Sequence, residues 1–509
     1  MPSQYVIGVD IGTQSTKAAL FDASGLCLAT AARKSFLYQP GPGIVEENPE
    51  RQVAAVCKTI RQCVRSAGVP VDAVAAIGID GQMAGIIGVG RDGRAITPYD
   101  SWLDTRCEPY IGKMKAANEE IISKTGGPPS FNHGPKILRW KKEYPRIYRS
   151  IHAFVQPGGY AAMRFCGLDG DAAFIDRTYL HFSGFADNWR GCWDEELCRR
   201  FGVSPEKLPR IVEPHAIVGS LCAAMARRCG LHAGVPVVAG CGDTAASFLA
   251  CGATREGVCV DVAGTASVFA ATTEKFLPDR KRQVLSCGSS ATPGLWHPYA
   301  YINGGGMNVE WFRGIIAAAG DGVSSKLSFK EFERLAAKVP LVESLPLFIP
   351  HLAGRVSPSW PRLRGAWAGL ALQHGLGHLY RAVLEAVALE YGFYKKVLQE
   401  LRPSLAFREV RRTGGGAGST LWNQIKADVL GVKIVPVTRD EGAPLGAALL
   451  AAYGVGLVPD LVCAADAWIQ TCKGISPVEK HAATYAVRQA RYERLLVALN
   501  VWSCENATN

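Results

Sequence analysis

The sequence predicts an α/β protein made of two similar domains. The chain has 509 residues, more than one hydrophobic core usually organises. Strand-like and helix-like segments alternate along its first half, which is the pattern of α/β folds. A Gly-Thr-x-Ser motif occurs at residues 12–15 and again at 264–267. The repetition indicates that one kind of domain is present twice.

The first elements follow from the pattern of apolar residues. The segments YVIGVDIG, KAALFD and LCLATAARK predict a three-stranded meander. NPERQVAAVCKTIRQCVRSAG predicts a helix with Asn48 as its N-cap and Pro49 in its first turn. VAAIGID, residues 74–80, is largely apolar and is typical of a strand buried in a parallel sheet.

The repeated motif defines the expected domain organisation. VDIGTQSTKAALFD at 9–22 and GVCVDVAGTASVFAATT at 257–273 both contain an apolar strand, a turn and a second apolar strand. We therefore expect one domain at 1–248 and a second at 249–509. The two turns are expected to face each other across a cleft, and clefts between domains are preferred ligand sites.

Composition and charge exclude several classes of protein. The net charge is +11, but the basic residues are scattered, unlike the clustered patches of nucleic-acid binders. The 16 cysteines include no C-x-x-C pair, which predicts free thiols in a reducing compartment. The uncharged run at 443–459 is short and contains glycine and proline, so a buried helix is expected there. These features favour a soluble cytoplasmic protein that binds neither nucleic acid nor a membrane.

Both Gly-Thr-x-Ser turns are candidate phosphate-binding turns. Backbone N–H groups in a tight turn bind phosphate well, with help from hydroxyl groups. Beside the first turn, Asp10 could hold Mg²⁺ directly or through water, and Lys17 could reach phosphate oxygens. A plain hairpin is the alternative for either turn alone, whereas the pair favours phosphate binding. The turn residues concerned are Gly12, Thr13, Gln14, Ser15, Gly264 and Thr265.

A third candidate is the carboxylate in PVVAGCGDTAASFLACGA, residues 236–253. An apolar strand is followed by glycines and Asp243, and a helix of small residues begins there. An acidic side chain at the carboxyl end of a buried strand is expected to lie in a crevice. Such a carboxylate can accept a proton from a hydroxyl group that attacks a phosphate. The alternative is that Asp243 only caps the helix.

Three further segments carry candidate binding residues. RRTGGGAGSTLWNQIKADVLG, at 411–431, is a glycine-rich turn before a helix, and such a turn lets a base or a phosphate approach the backbone; the alternative is a loop with unusual backbone angles. IDGQMAG and SWLDTRC supply Gln82, Met83, Trp102 and Asp104 as candidate substrate contacts. For the last two residues, an ion pair between Asp104 and Arg106 and a core position for Trp102 are equal alternatives.

Taken together, the motifs resemble the FGGY carbohydrate kinases of the actin-like ATPase superfamily. The segment GAWAGLALQHGLGHLYRAVLE, at 365–385, matches the C-terminal signature of that family. We expect it to form a strand or loop and then a long helix to about Leu401, with a structural role. DIGTQSTK, GDTAAS, AGTAS, NGGGMNVEWFR and GGGAGSTLWNQIKADVLG follow the family's order, so the resemblance covers about residues 4–456.

The resemblance implies two RNase-H-like domains, each a mixed β-sheet flanked by helices, which close over ATP and a sugar in an interdomain cleft. Asp243 would be the catalytic base and Asp10 the metal-linked aspartate, and both would hold Mg²⁺, directly or through water. Gly306 and Glu310 would lie near the nucleotide. The adenosine would lie against Gly415, Gly416, Ala417 and Thr420.

Within the family, the arrangement GQM, WLDTR and GDTAA resembles that of the xylulokinases. This implies phosphorylation of D-xylulose to D-xylulose 5-phosphate or of a close relative. The chain departs from the pattern at Ala84, where histidine is usual, at Thr244, where asparagine is usual, and at His133. Another ketose or a polyol is therefore the alternative substrate, with Thr244 as a further expected contact. A homodimer is left open.

Two other classes of function remain to be compared with the kinase. An actin-like or chaperone-like ATPase shares the paired phosphate turns, but the C-terminal signature and WLDTR favour the kinase. A sugar-binding protein without activity would have no need for both Asp10 and Asp243.

Overall fold

The computed structural model describes residues 4–264, 266–319, 327–414 and 418–505. The strands within these ranges are, in chain order, β1 (Tyr5–Ile11), β2 (Ser15–Asp22), β3 (Cys27–Lys34), β4 (Glu46–Glu47), β5 (Val74–Gly81), β6 (Ile87–Val89), β7 (Tyr99–Asp100), β8 (Ala153–Val155), β9 (Phe174–Asp176), β10 (Ala186–Asp187), β11 (Cys192–Trp193), β12 (Arg210–Val212), β13 (Ile217–Ser220), β14 (Pro236–Val238), β15 (Val258–Ala263), β16 (Ser267–Ala271), β17 (Ser286–Ser289), β18 (Trp296–Ile302), β19 (Leu347–Ile349), β20 (Ala366–Ala368), β21 (Glu409–Thr413) and β22 (Ile434–Pro436).

The helices of the same ranges are α1 (Pro49–Ala67), α2 (Glu108–Met114), α3 (Asn118–Thr125), α4 (His133–Glu143), α5 (Pro145–Ser150), α6 (Pro157–Cys166), α7 (Glu195–Phe201), α8 (Ala223–Cys229), α9 (Asp243–Ala250), α10 (Gly305–Ala319), α11 (Phe329–Ala337), α12 (Leu376–Leu401), α13 (Thr420–Leu430), α14 (Ala443–Gly454), α15 (Leu461–Trp468) and α16 (Ala482–Glu505).

The first six-stranded sheet has the order β13-β14-β5-β1-β2-β3. The predicted meander is confirmed, because β1, β2 and β3 pair antiparallel in chain order. On the other side of β1, β5 and β14 extend the sheet in parallel. Helix α1 packs on β2 and β3. Its N-cap is Asn48, as predicted, and the Asn48 side chain accepts a hydrogen bond from the backbone N–H of Arg51.

The second sheet, of order β17-β18-β16-β15-β21-β22, repeats the first. Its strands β15, β16 and β18 are antiparallel neighbours, and β21 and β22 continue from β15 in parallel. Both sheets therefore contain three antiparallel neighbouring strands and, on the far side of the first of them, two parallel strands; β13 and β17 are additional antiparallel edge strands. This correspondence supports the duplication inferred from the repeated motif.

A helical layer lies between the two sheets. Helix α14 packs on β1 and β5 of the first sheet, and α9 packs on α14. A Cβ atom on Gly8 or Gly78 would overlap the backbone of α14, so these glycines let the helix lie directly on the strands. Phe248 of α9 contacts the rings of His297 and Tyr299 in the second sheet, at centroid distances of 5.0 and 6.2 Å. One hydrophobic cluster thus spans both sheets.

Other expectations about single elements are met. Residues 443–452 of α14 are all buried, as predicted for the uncharged run. The C-terminal signature forms β20 and then α12, which ends at Leu401. All 16 cysteines are free thiols. Among the described residues, none of the helices combines the length and the apolar character needed to span a bilayer.

Candidate active site

The parallel strands of the first sheet bring two of the predicted carboxylates to one edge. Asp10 is the penultimate residue of β1. After β14 the chain continues beside β5, where Gly242 pairs with Gly81, and Asp243 follows as the first residue of α9. Gly242 occupies the N-cap position of this helix. Asp243 is therefore not the helix cap that was its alternative interpretation.

Asp243 lies in surroundings that favour its neutral form. Its Oδ1 accepts hydrogen bonds from the backbone N–H of Thr244, at 2.6 Å, and from the Thr244 hydroxyl, at 3.1 Å. Burial, and next the negative charge of Asp10, raise the pKa of Asp243 to about 7. A carboxylate with a pKa near neutrality is suited to accept and release a proton.

Asp10 lies beside the first Gly-Thr-x-Ser turn. A Cβ atom on Gly12 would be 3.3 Å from Asp10 Oδ2, and Lys17 is the residue opposite Asp10 on β2. Burial raises the pKa of Asp10 to about 6, against the opposing effects of a hydrogen bond with Asp80 and the charge of Lys17. Asp10 Oδ1 is buried with no hydrogen-bond donor in the described structure.

Asp80 was missed by the sequence reasoning. It is the penultimate residue of β5, in register with Asp10 on β1, and it is fully buried. Burial and the charges of Asp10 and Asp243 raise the pKa of Asp80 well above its usual value. A signal was present in the sequence, because Asp80 ends an apolar strand and precedes a glycine.

A chain of hydrogen bonds connects the first turn with predicted sugar-side residues. The Trp102 indole Nε1–H donates to Thr13 Oγ1 at 2.9 Å, and the Thr13 hydroxyl donates to Gln82 Oε1 at 3.2 Å. The Gln82 amide donates in turn to Glu47 Oε1 at 2.7 Å. Trp102 is 41% exposed, so it is not a core residue. Glu47 is buried, and nothing in its sequence context marked it as part of this network.

Asp104 takes part in a buried ion-pair network. Its carboxylate accepts hydrogen bonds from Arg106 and from the backbone N–H of Val45. Glu46, Asp100 and Asp104 place carboxylate oxygens within 4.8 Å of one another, but Arg106 lies among them and pairs with all three. The geometry thus supports the ion-pair interpretation of Asp104, and a substrate contact for it stays a prediction.

Met83 and its neighbours lie next to the Asp243 segment. The Met83 side chain occupies the space where a Cβ atom on Gly242 would project. The Tyr179 hydroxyl donates to the carbonyl oxygens of Gly81, at 3.0 Å, and Cys241, at 3.3 Å. This bond ties together the two strand ends that lead to Met83 and Asp243. Ala84 has a φ of 60°, an uncommon conformation for a residue with a side chain.

His133, one of the departures from the xylulokinase pattern, begins α4. Its ring lies among aromatic side chains, with centroid distances of 6.2 Å to Tyr179 and 6.1 Å to Phe182. Burial, followed by the charges of His181 and Lys136, lowers the pKa of His133 to about 3. His133 is therefore a neutral residue that packs against the Tyr179 segment.

The predicted nucleotide segments converge in the second domain. The backbone N–H of Gly306, at the start of α10, donates to the carbonyl oxygen of Gly264 at 3.0 Å. Gly414 has a φ of 97°, and a Cβ atom there would overlap the carbonyl of Ala263. The start of α10 and Gly414, the residue after β21, thus lie against Gly264 and Ala263 respectively.

The remaining nucleotide-side predictions have different outcomes. Glu310 is exposed and forms an ion pair with Arg313 at 2.9 Å, and Thr420 is the first residue of α13. Their contacts with a nucleotide stay predictions. Four predicted residues lie outside the described residues, namely Thr265, Gly415, Gly416 and Ala417.

Comparison with protein families places this geometry in a class. Residues 5–250 match the N-terminal domain of the FGGY family of carbohydrate kinases, and residues 259–455 match the C-terminal domain. The chain therefore belongs to the FGGY family of carbohydrate kinases, enzymes that transfer a phosphoryl group and use ATP as donor.

Individual relatives within this family have different names. A xylulose kinase of Escherichia coli is 30% identical over 453 residues, which are 87% of this chain and 89% of the relative. A gluconokinase of Bacillus subtilis is 27% identical, over 95% of this chain and 94% of the relative. The crystal structure of a xylulose kinase from Rhodospirillum rubrum is similar with a TM-score of 0.89 and 26% identity, covering 98% of this chain and all of that one.

Proposed function

We propose that this enzyme transfers the γ-phosphate of MgATP to a hydroxyl group of a ketose, with D-xylulose as the leading candidate and D-xylulose 5-phosphate as the product. The observation that carries the proposal is the hydrogen-bond chain from Trp102 through Thr13 to Gln82. It links the expected sugar side to the phosphate turn, close to two carboxylates. Relatives named xylulose kinase support the choice of sugar.

In this proposal Asp243 is the general base. Its two hydrogen bonds with Thr244 both use Oδ1, which leaves Oδ2 to accept the proton of the attacking hydroxyl. Domains at 1–248 and 249–509 would close over the substrates, which excludes water from the transfer. Lys17, opposite Asp10, would neutralise phosphate charge.

The acidic oxygens of the site fit Mg²⁺, which prefers oxygen ligands. Asp10 Oδ1 is buried and has no donor among the described residues, so it is available to a cation or to a water molecule bound to one. Asp10 and Asp243 would hold the ion. When bound, Mg²⁺ neutralises charge that develops on the phosphate groups.

A second candidate is a kinase for another ketose, a polyol or a sugar acid. The observation that favours it is Ala84, which has no polar side chain at a position next to Met83 in the expected sugar site. A site that lacks a hydrogen-bonding group for one hydroxyl discriminates differently among sugars. A gluconokinase among the relatives makes gluconate a member of the test panel.

The test is release of ADP from MgATP across ketoses, aldoses, polyols and gluconate, with the phosphorylated product identified by mass spectrometry. We expect D-xylulose to raise ADP release several-fold above the sugar-free rate. A larger increase with another compound would select the second candidate. ADP release that no compound changes would contradict both and would favour an ATPase.

A further inference from the structure

Asp80 occupies the central position at the edge of the sheet where the proposed transfer takes place. The strand order places β5 between β14 and β1. Asp80 is in register with Asp10 on one side, and on the other side the next residue, Gly81, pairs with Gly242. Asp80 is thus the middle one of three carboxylates, between Asp10 and Asp243.

Asp80 and Asp10 project from the same face of the sheet. Alternate residues of a strand share a face, and Gly8 and Gly78, two residues before them, lie against α14. The intervening Val9 and Ile79 belong to the core on the opposite face. Both aspartates therefore lie two residues beyond the glycines covered by α14, on the same face of the sheet.

The surroundings of Asp80 differ from those of other buried aspartates in the chain. Asp100 and Asp261 accept hydrogen bonds from buried side chains, and Asp279 accepts them from backbone N–H groups. Apart from the neighbouring carboxyl group of Asp10, neither Asp80 oxygen has a hydrogen-bond partner in the structure described here, although the side chain is fully buried. Such a group opposes folding, so stability does not explain its presence.

The local charges also favour a cation. The charges of Asp10, Asp243 and Lys17 act on the Asp80 carboxyl group. A bound divalent cation would stabilise the ionised forms of these three neighbouring carboxyl groups, which burial otherwise disfavours. Carboxylate oxygens without other partners are the ligands that such a cation prefers.

We propose that Asp80 is a third metal-linked carboxylate of this enzyme, which holds the divalent cation of the nucleotide together with Asp10, directly or through a bound water molecule. The inference rests on the proposed function only for the identity of the metal as the companion of ATP. It predicts that Asp80 contributes to metal affinity, whichever sugar is phosphorylated.

The test measures Mn²⁺ binding by electron paramagnetic resonance in the presence of ADP, for the full-length parent and Asp80→Asn. We expect Asp80→Asn to bind Mn²⁺ at least about tenfold more weakly, since loss of one group around a metal has effects of this size. Affinity for ADP in EDTA should not change. The control is Asp279→Asn, which alters a buried aspartate in the second domain and should bind Mn²⁺ like the parent.

Thermal unfolding separates metal binding from a structural role. Without metal, Asp80→Asn should be at least as stable as the parent, and Mn²⁺ with ADP should stabilise it less. Parent-like Mn²⁺ affinity in Asp80→Asn would overturn the proposal. If Asp80→Asn does not fold, the Mn²⁺ affinity of Asp80→Ser is measured instead, and parent-like affinity would again overturn the proposal.

The readout is independent of sugar phosphorylation. If no compound of the panel stimulates ADP release but Asp80→Asn loses Mn²⁺ affinity, the proposed function fails and the role of Asp80 stands. If a sugar is phosphorylated but Asp80→Asn binds Mn²⁺ with parent affinity, the proposed function stands and the proposed role of Asp80 fails.

Discussion

At the residue scale, burial determines the chemistry of the carboxyl groups at the strand ends. Burial raises the pKa of Asp10 to about 6 and that of Asp243 to about 7, and the negative charge of Asp10 contributes to the shift of Asp243. A base with a pKa near the operating pH combines a useful ionised fraction with a real affinity for the proton. Asp243 follows Gly242, which lies against Met83, so the proposed base is on the expected sugar side.

Asp243→Asn removes the proposed base while keeping the shape of the side chain. We expect turnover to fall by about 10²–10⁴-fold, the usual contribution of a positioned base, with ADP affinity nearly unchanged. Steady-state kinetics and calorimetric titration with ADP measure the two effects. Asp279→Asn is the control and should keep parent turnover. Near-normal turnover of Asp243→Asn would show that the base is another residue.

The pH profile of turnover should report the same group. A raised pKa means that the base form is lost as the pH falls through about 7, so about one-tenth would remain at pH 6. We expect kcat/KM, which reports the free enzyme, to decrease about tenfold per pH unit below about 7 and to level off above it. The residual rate of Asp243→Asn should not show this slope. A parent profile that is flat from pH 5.5 to 7.5 would contradict the assignment.

At the scale of elements, helix α4 supports the loop that carries Trp102. The Lys136 ammonium donates to the carbonyl oxygens of Ser101 and Asp104, both at 2.9 Å. Further along the helix, the Trp140 indole N–H donates to Asp100 Oδ2 at 2.7 Å. The loop therefore has fixed backbone contacts on both sides of Trp102, which position its indole for the hydrogen bond to Thr13 in the first Gly-Thr-x-Ser turn.

Lys136→Met should weaken both the fold and the sugar site. Lys136 is fully buried, and its loss leaves two buried carbonyl oxygens without a donor. We expect about 2–4 kcal/mol lower stability in urea unfolding and a higher KM for sugar. Lys142→Met changes an exposed lysine of the same helix and should have nearly parent values. Equal stability in urea and equal KM values for sugar in the two variants would exclude the proposed support of the Trp102 loop by Lys136.

At the scale of the whole molecule, the two domains share a layer of helices. Helix α14 comes from the C-terminal half of the chain but lies on the first sheet, and α9 packs on it while it contacts the second sheet. The interface is apolar and continuous with the core. The carboxylates of Asp10 and Asp80 lie directly beyond it, so the packing of α14 and the geometry of the site depend on the same strands.

Gly8→Ala tests this layer. The added methyl group would overlap the backbone of Pro444 in α14, and overpacking of this kind costs about 1–3 kcal/mol or more. Urea unfolding should show this loss, and turnover should fall because Asp10 is two residues away. The control, Gly112→Ala, adds a methyl group in open space within α2 and should be neutral or slightly stabilising. If Gly8→Ala has the stability and turnover of the parent, α14 is not closely packed against β1.

The accuracy of the sequence predictions depended on how local each signal was. The meander, the N-cap at Asn48 and the long helix ending at Leu401 were predicted correctly, because each depends on neighbouring residues. The buried helix predicted for 443–459 is present, but it ends at Gly454. Asp104 and Trp102 could not be assigned, because their partners lie far away in sequence. The contacts of Glu310 and Thr420 with a nucleotide are still predictions.

The sequence by itself determined the α/β class, the first meander, the repeated strand-turn-strand segment with its Gly-Thr-x-Ser motif, and the choice of Asp10 and Asp243 as candidate acidic residues. These features are encoded in short segments through side-chain alternation and turn chemistry. The tertiary structure alone decided that Asp80 lies between those two carboxylates and that Trp102, Thr13, Gln82 and Glu47 form one network. Strand order and register bring these residues together, and both are set by long-range packing of α14 and α9 against the sheets.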